Sequence, residues 1–292
     1  MAGRWSGQWG LPVAPEVPDT QQELQVLIPS YQRAAELAVT LSGLAAQMDA
    51  NFGVIVADQS EQPVWEHPAV ETMVRLLEAQ GRDVRLERNL PRQGMAQQRD
   101  FLLRLATAPR VLFLDDDVWC EPGLLVRLMT AMDEADCGFV GSAVQGLSYL
   151  DDRRPDECRS FELWEGGPEL VTEDSPAWER WRLHNAANLA HLAAGLEIPR
   201  GGWQLYKVAW VGGCVLFDRE RLLEVGGFSF WRSLPAAHVG EDVIAQLRVM
   251  AEFGGAGLLP SGAVHLESPT TVPNRETEAR DIIPVDPSAT LG

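Results

Sequence analysis

The chain is short of positive charge: it holds 24 basic residues against 42 acidic ones, a formal net charge of -18, and a single lysine, Lys207. Such a field repels polyphosphate backbones and anionic surfaces, so neither nucleic acid nor an anionic membrane is an expected partner. Because arginine supplies nearly all the cations, the contacts they make are forked and suited to phosphates. Cysteine is scarce too. Cys120, Cys137, Cys158 and Cys214 form no CxxC pair and match no zinc-knuckle spacing, which excludes a small zinc module and points to reduced thiols in a cytoplasmic protein. No apolar run reaches the roughly 18 residues of a membrane-spanning helix, so no transmembrane segment is expected. Residues 1–22 lack the apolar stretch of a secretory signal and read as a flexible lead-in. Internal repeats and low-complexity tracts are absent.

What the chain does have is length and core-forming material, 292 residues at 46% hydrophobic, enough for one large domain. Its first half alternates regularly. Apolar strands are expected at 24–28, 52–57, 84–86 and 111–114, and helices at 34–48, 67–80, 94–106 and 122–133. Strands alternating with helices of this length form βαβ units around a parallel sheet. After the first strand comes Pro29-Ser30-Tyr31-Gln32-Arg33, with no GxGxxG, so a dinucleotide-binding turn is not expected.

Beyond residue 146 the rhythm breaks. A segment rich in tryptophan and acids precedes a helical pattern at 177–194. An apolar run over 208–217 carries Gly212-Gly213, a helix follows at 218–225, and Gly240-Glu241-Asp242 opens another through residue 253. A last short strand at 263–266 carries His265. Residues 268–292 read as an acidic, proline-bearing tail or a flap over a site. The domain is therefore expected in two halves, 23–145 and 146–267, between these two ends.

The strongest chemical signal is Phe113-Leu114-Asp115-Asp116-Asp117-Val118, an apolar strand that ends in three carboxylates. Adjacent carboxylates repel, so a fold accepts them when they are solvated or bind a cation. Open α/β sheets collect ligands at the carboxyl ends of their strands. A hard divalent ion sharing one or two carboxylates with substrate phosphates fits that position, and a solvated acidic turn is the alternative.

Six segments in order resemble family 2 glycosyltransferases of the GT-A fold: Ile-Pro-Ser-Tyr-Gln-Arg, Ala-Asp-Gln-Ser, Gly-Met-Ala-Gln-Gln-Arg-Asp, Leu-Asp-Asp-Asp-Val, Gly-Gly-Cys-Val-Leu-Phe-Asp-Arg with Val-Gly-Gly-Phe, and Gly-Glu-Asp-Val. The resemblance spans residues 24–267. It implies an α/β fold, with a Rossmann-like, mostly parallel central sheet flanked by helices and a smaller acceptor-side region. The activity it implies is inverting transfer of a sugar from a UDP-, GDP- or dTDP-linked donor to an acceptor hydroxyl, with Mn²⁺ or Mg²⁺ bound.

The same resemblance implies residue roles. Pro29, Tyr31 and Arg33 would line the nucleotide pocket, and Asp58 would accept a hydrogen bond from the base. Arg99 would favour a phosphate, Asp115 would hold ribose hydroxyls, and Asp116 falls with the donor-binding residues. Asp117 and His265 would ligate the metal. Asp242 would be the general base, with Glu241 as the alternative, and an acid at a helix start would have its pKa lowered by the dipole. Most of the ten tryptophans are expected in the core, with about two of Trp119, Trp164, Trp178, Trp181, Trp203 and Trp231 lining an acceptor groove, and His184, Asn185 and Asn188 are expected on one helix face, solvated rather than in contact with an acceptor.

The sequence departs from the processive members. After Asp242 it reads Gln246-Leu247-Arg248-Val249, without the tryptophan of their QxxRW motif, which favours addition of a single sugar. Two other readings share the layout: a non-catalytic nucleotide-sugar or carbohydrate binder, and a sugar nucleotidyltransferase. The latter needs a glycine-rich loop that Pro29–Arg33 lacks.

Overall fold

The computed structural model describes residues 22–272 and 275–285; the expected lead-in up to residue 21 and the last residues of the tail lie outside them. The elements in chain order are β1 (Leu24–Ser30), α1 (Ala34–Ala45), β2 (Phe52–Asp58), α2 (Pro68–Ala79), β3 (Val84–Arg88), α3 (Met95–Leu105), β4 (Arg110–Leu114), β5 (Val118–Cys120), α4 (Leu124–Ala135), β6 (Phe139–Gly141) and β7 (Gln145–Gly146). There follow α5 (Asn188–Ala194), β8 (Gln204–Tyr206), β9 (Cys214–Asp218), α6 (Arg219–Glu224), α7 (Glu241–Phe253), β10 (Gly255–Leu259) and β11 (Ala263–His265). Short 3₁₀ turns fill much of the interval between β7 and β8.

Eight strands form the central sheet in the order β3-β2-β1-β4-β9-β6-β10-β8, in which only β9 and β8 run against the rest. Alternation along β1 and β2 shows why helices cover both faces. Leu24, Val26, Ile28, Val54 and Val56 point into one apolar layer with α1, α2 and α4. Leu27 and Ile55 point into the other, with α3 and α7. The expected mostly parallel α/β architecture is therefore present.

Strand β1 sits between β2 and β4, so the chain reverses its direction of travel across the sheet there. That reversal opens a crevice at the carboxyl ends of β1 and β4, where doubly wound sheets bind ligands. A second, three-stranded sheet, β5-β11-β7, stands beside this end and brings His265 toward the acids.

The second half differs from expectation. The helical pattern at 177–194 is a 3₁₀ stretch, Pro176–His184, followed after a break by α5. His184, Asn185 and Asn188 therefore do not share a helix face. His184 faces the hydroxyl of Tyr206 at 3.1 Å, and Asn185 and Asn188 both donate to Glu157 Oε2, at 3.2 and 3.0 Å. Burial pushes the His184 imidazole down to about 4, so it stays neutral near pH 7.

Candidate active site

The acidic turn is built by its neighbours. Asp115 N–H donates to Gly213 O at 2.9 Å, extending the β4–β9 ladder, and Thr40 of α1 holds the next peptides. Thr40 Oγ1 donates to Asp116 O at 2.9 Å and accepts from Val118 N at 3.1 Å. Gly213 has φ +77°, and a Cβ there would lie 2.7 Å from Val144 Cγ1, so a glycine at this one position lets the segment entering β9 pass close to Val144. The three carboxylates then diverge. Asp116 is buried and accepts from Ser30 Oγ at 2.8 Å and from Arg33 at 3.2 Å, so it serves the geometry of the turn itself. Burial pushes its carboxyl up to about 7.

Asp117 faces His265 across 3.4 Å and takes a 2.6 Å bond from Arg33. Burial raises its pKa, but the hydrogen bond and charge of His265 and the charge of Arg33 outweigh that and lower it overall; Asp117 in turn raises His265. Among the described residues, no three His, Cys, Asp or Glu side chains gather as a protein-only metal cage. A carboxylate and an imidazole converging in this way are donors of the kind Mn²⁺ or Mg²⁺ takes. His265 Nδ1 here accepts from Glu267 N–H at 3.0 Å. Ligation through Nε2 would require the proton on Nδ1, and hence a shift of that peptide.

Glu241 and Asp242 open α7 behind Gly240, which has φ +79°. Arg99 of α3 joins them to the acidic turn: it donates to Glu241 Oε1 at 2.9 Å and to Asp115 Oδ1 at 3.2 Å. Arg99 is thus committed to carboxylates rather than left open for a phosphate, and Asp115 keeps 36% of its side chain exposed to the cleft. The dipole expectation for Asp242 is reversed. Desolvation first, then the charges of Glu241 and Asp115, overcome the pull of Arg99 and hold its carboxyl at about 7. Gln246, one turn further along α7, clamps both backbone groups of Val211 at 2.7 and 2.8 Å and so fixes where α7 sits against the segment that enters β9.

These groups line one cleft of about 340 Å³, together with Pro29, Tyr31, Gln59, Arg92 and His238. Two expectations change here. Asp58 is fully buried and absent from the lining; its oxygens accept from Ser60 N, Ser60 Oγ and Val64 N at 2.9, 2.6 and 3.1 Å. No tryptophan lines the cleft. Trp231 donates to Asp100 at 2.9 Å, Trp178 packs on Trp210 and Trp164 and Trp203 pack against the core, so they hold the fold together rather than form an acceptor groove.

Sequence reasoning missed several cleft residues, among them Arg92, His238 and Ser30. Arg92 lies over the Tyr31 ring at 3.8 Å, and its position in an irregular loop gave no signal. His238 caps α3 by accepting from Ala96 N at 3.1 Å, a long-range contact that no local spacing reveals. Ser30 sat inside a motif already quoted, and its hydroxyl beside the acids was the available clue. The segment after β11 does cross the site: Ser268, Thr270, Thr271 and Val272 line the cleft, and Arg33 and Arg92 donate to Pro269 O and Thr271 O.

Comparison with known proteins places this geometry. A chain of Haemophilus influenzae described as an uncharacterized glycosyltransferase is 34% identical over 111 residues, covering 38% of this chain and 35% of that protein. Mannosyltransferase PcManGT from Pyrobaculum calidifontis, in complex with GDP-Man and Mn²⁺, superposes with a TM-score of 0.54 at 18% identity, covering 87% of this chain and 60% of that one. S. aureus TarS 1-349 in complex with UDP-GlcNAc gives 0.53 at 14% identity, covering 86% and 60%. The chain thus spans about a third of the curated relative and three fifths of these structures, and it shares their GT-A fold. Residues 25–179, more than half of the chain, match the model of Glycosyl transferase family 2, and the chain belongs to that family.

Proposed function

We propose that the protein is a metal-dependent, inverting glycosyltransferase that moves a sugar from a nucleotide-diphosphate donor to an acceptor hydroxyl. One observation carries this reading: the acidic turn and the Glu241-Asp242 helix start face a single cleft and are linked through Arg99. Family membership and structural neighbours carrying GDP-Man with Mn²⁺ or UDP-GlcNAc support a nucleotide-sugar donor linked to UDP, GDP or dTDP.

In this reading Tyr31 and Pro29 bound the nucleotide end, Arg33 supplies charge beside the diphosphate, and Asp115 turns its exposed oxygen to ribose. Asp117 and His265 would hold a divalent cation, which when bound would stabilise negative charge on the departing diphosphate. Asp242 accepts the acceptor's proton as the hydroxyl attacks the anomeric carbon opposite the nucleotide, and that single displacement inverts the centre. A carboxyl held at about 7 is a stronger base than an ordinary aspartate and is still half ionised at neutral pH. Glu241, tied to Arg99, positions Asp242 rather than taking the proton itself.

The four free thiols support a cytoplasmic setting, and no described helix is long and apolar enough to cross a membrane. Single-sugar addition fits Gln246 and Arg248, which hold Val211 and Pro284 backbone groups rather than a growing polymer. A thermal-shift panel of nucleotide sugars with Mn²⁺, followed by product analysis on the best donor, tests the proposal. Donor stabilisation without transfer or donor hydrolysis would favour the non-catalytic binder.

A further inference from the structure

We infer that His238 is a positioning residue for Asp242: through one hydrogen bond to the start of α3 it holds the short loop from which α7 begins, and so sets where the base stands in the cleft. This rests on the reading of Asp242 as the base and adds a residue that none of the motifs contains.

The inference starts from a ring whose two nitrogens are both engaged inside the protein. Ala96 N–H donates to His238 Nε2 at 3.1 Å, so the ring proton is on Nδ1, and Nδ1–H donates to Pro235 O at 2.7 Å. The side chain lines the cleft, yet the residue is only 2% exposed. With no ring lone pair or N–H left over, it neither takes the acceptor's proton nor bonds a substrate. What it does, it does by holding its neighbours.

Those neighbours carry the chemistry. His238 comes two residues before Gly240, and Asp242 two residues after it, in the first turn of α7. Ala96 is three residues, nearly one helical turn, ahead of Arg99. Helix α3 therefore grips the approach to α7 at His238 through Ala96 and at Glu241 through Arg99. On its far side the loop is tied through its backbone: Val239 N–H donates to Thr277 O at 3.0 Å, and Val239 O accepts from Ala279 N at 2.8 Å. The loop also presses on α3. Gly94, with φ +97°, precedes that helix, and a Cβ there would lie 2.6 Å from both Ala236 O and His238 Cε1. The 235–240 loop is thus wedged between α3 and 277–279, and His238 fixes its α3 side. A displacement of a reacting group by about 1 Å can cost about a hundredfold in rate.

The test compares wild type with His238→Leu, His238→Asn and His238→Gln. It measures kcat and donor KM with the donor that the thermal-shift panel selects, UDP and GDP affinity with Mn²⁺ by calorimetry, and melting temperature. Glutamine is long enough to put an amide oxygen where Nε2 stands and accept from Ala96, whereas asparagine reaches only the Nδ1 position. Expected is a kcat at least about tenfold lower in His238→Leu and His238→Asn, with nucleotide affinity and donor KM within about threefold of wild type, and a kcat restored to within about threefold in His238→Gln. The Gln and Asn variants decide the matter even where His238→Leu melts too low to assay. Wild-type kcat in His238→Asn, equal rates in His238→Asn and His238→Gln, or nucleotide affinity lost in step with kcat would overturn the inference and leave the nucleotide-sugar reading standing. A wild type that binds UDP or GDP but turns over no donor would instead remove the glycosyltransferase reading, and this inference with it.

Discussion

Arg99 donates to Glu241 at 2.9 Å, and through this one ion pair α3, behind the nucleotide half, is fastened to the helix start that carries Asp242. The same guanidinium reaches Asp115 at 3.2 Å, so a single cation compensates a cluster of three acids. Removing one partner of a buried pair leaves uncompensated charge, which costs on the order of 3–5 kcal/mol. Arg99→Gln is therefore expected to lower the melting temperature by roughly 6 °C or more, by the usual conversion for a domain of this size. Differential scanning calorimetry checks this. A shift under about 1 °C would show that the acids are solvated rather than held by Arg99.

The activity of the wild type should rise with pH through a limb near 7. Asp242 must be ionised to take a proton, and desolvation with its acidic neighbours holds its carboxyl at about 7. The kcat/KM profile reports the free enzyme, so the limb is read there. Arg99→Gln removes the group that pulls this value down and should move the limb to higher pH.

Stability should change in the opposite direction. The folded Asp242 carboxyl titrates near 7, against about 3.9 in the unfolded chain. Between those values the folded state keeps a proton that the unfolded state releases, so this group makes the protein less stable as pH rises from about 4 to 7. Asp242→Asn is free of that cost. Its melting temperature should exceed that of wild type by on the order of 2–5 °C at pH 8, and the gap should close near pH 4.

Chelation should separate the two ends of the donor. With EDTA, UDP and GDP should bind at least about tenfold more weakly, since a dication shared with the diphosphate is lost. Asp117→Asn and His265→Ala should blunt the Mn²⁺ effect in titration calorimetry. Equal nucleotide binding with and without Mn²⁺ would remove the metal from the account.

The first half of the fold was legible because β1, β2 and β4 are buried on both faces and its helices carry long apolar stripes. The expected strand at 24–28 is β1 short by two residues, and the expected helix at 94–106 is α3 with its caps. The second half was not, for reasons visible in particular residues. Strand β10 begins Gly255-Ala256-Gly257 because the rings of Phe139 and Tyr206 occupy the space a side chain would need, so its sequence lacks β-branched residues. Strands β5, β7 and β11 are two or three residues long and have no period to read. The site followed the same division. Asp117, His265, Glu241 and Asp242 stand at element ends that the motifs marked, whereas the occupied state of Asp58 depends on Ser60 and Val64 folding back onto it.

The central claim is that Asp242 takes the acceptor's proton while a separate group of residues holds the donor. It is tested most directly by measuring donor affinity and transfer rate together in Asp242→Asn, using the donor that the thermal-shift panel selects. The account predicts donor binding within about threefold of wild type and transfer reduced by at least about a hundredfold. Transfer at the wild-type rate by this variant would contradict it.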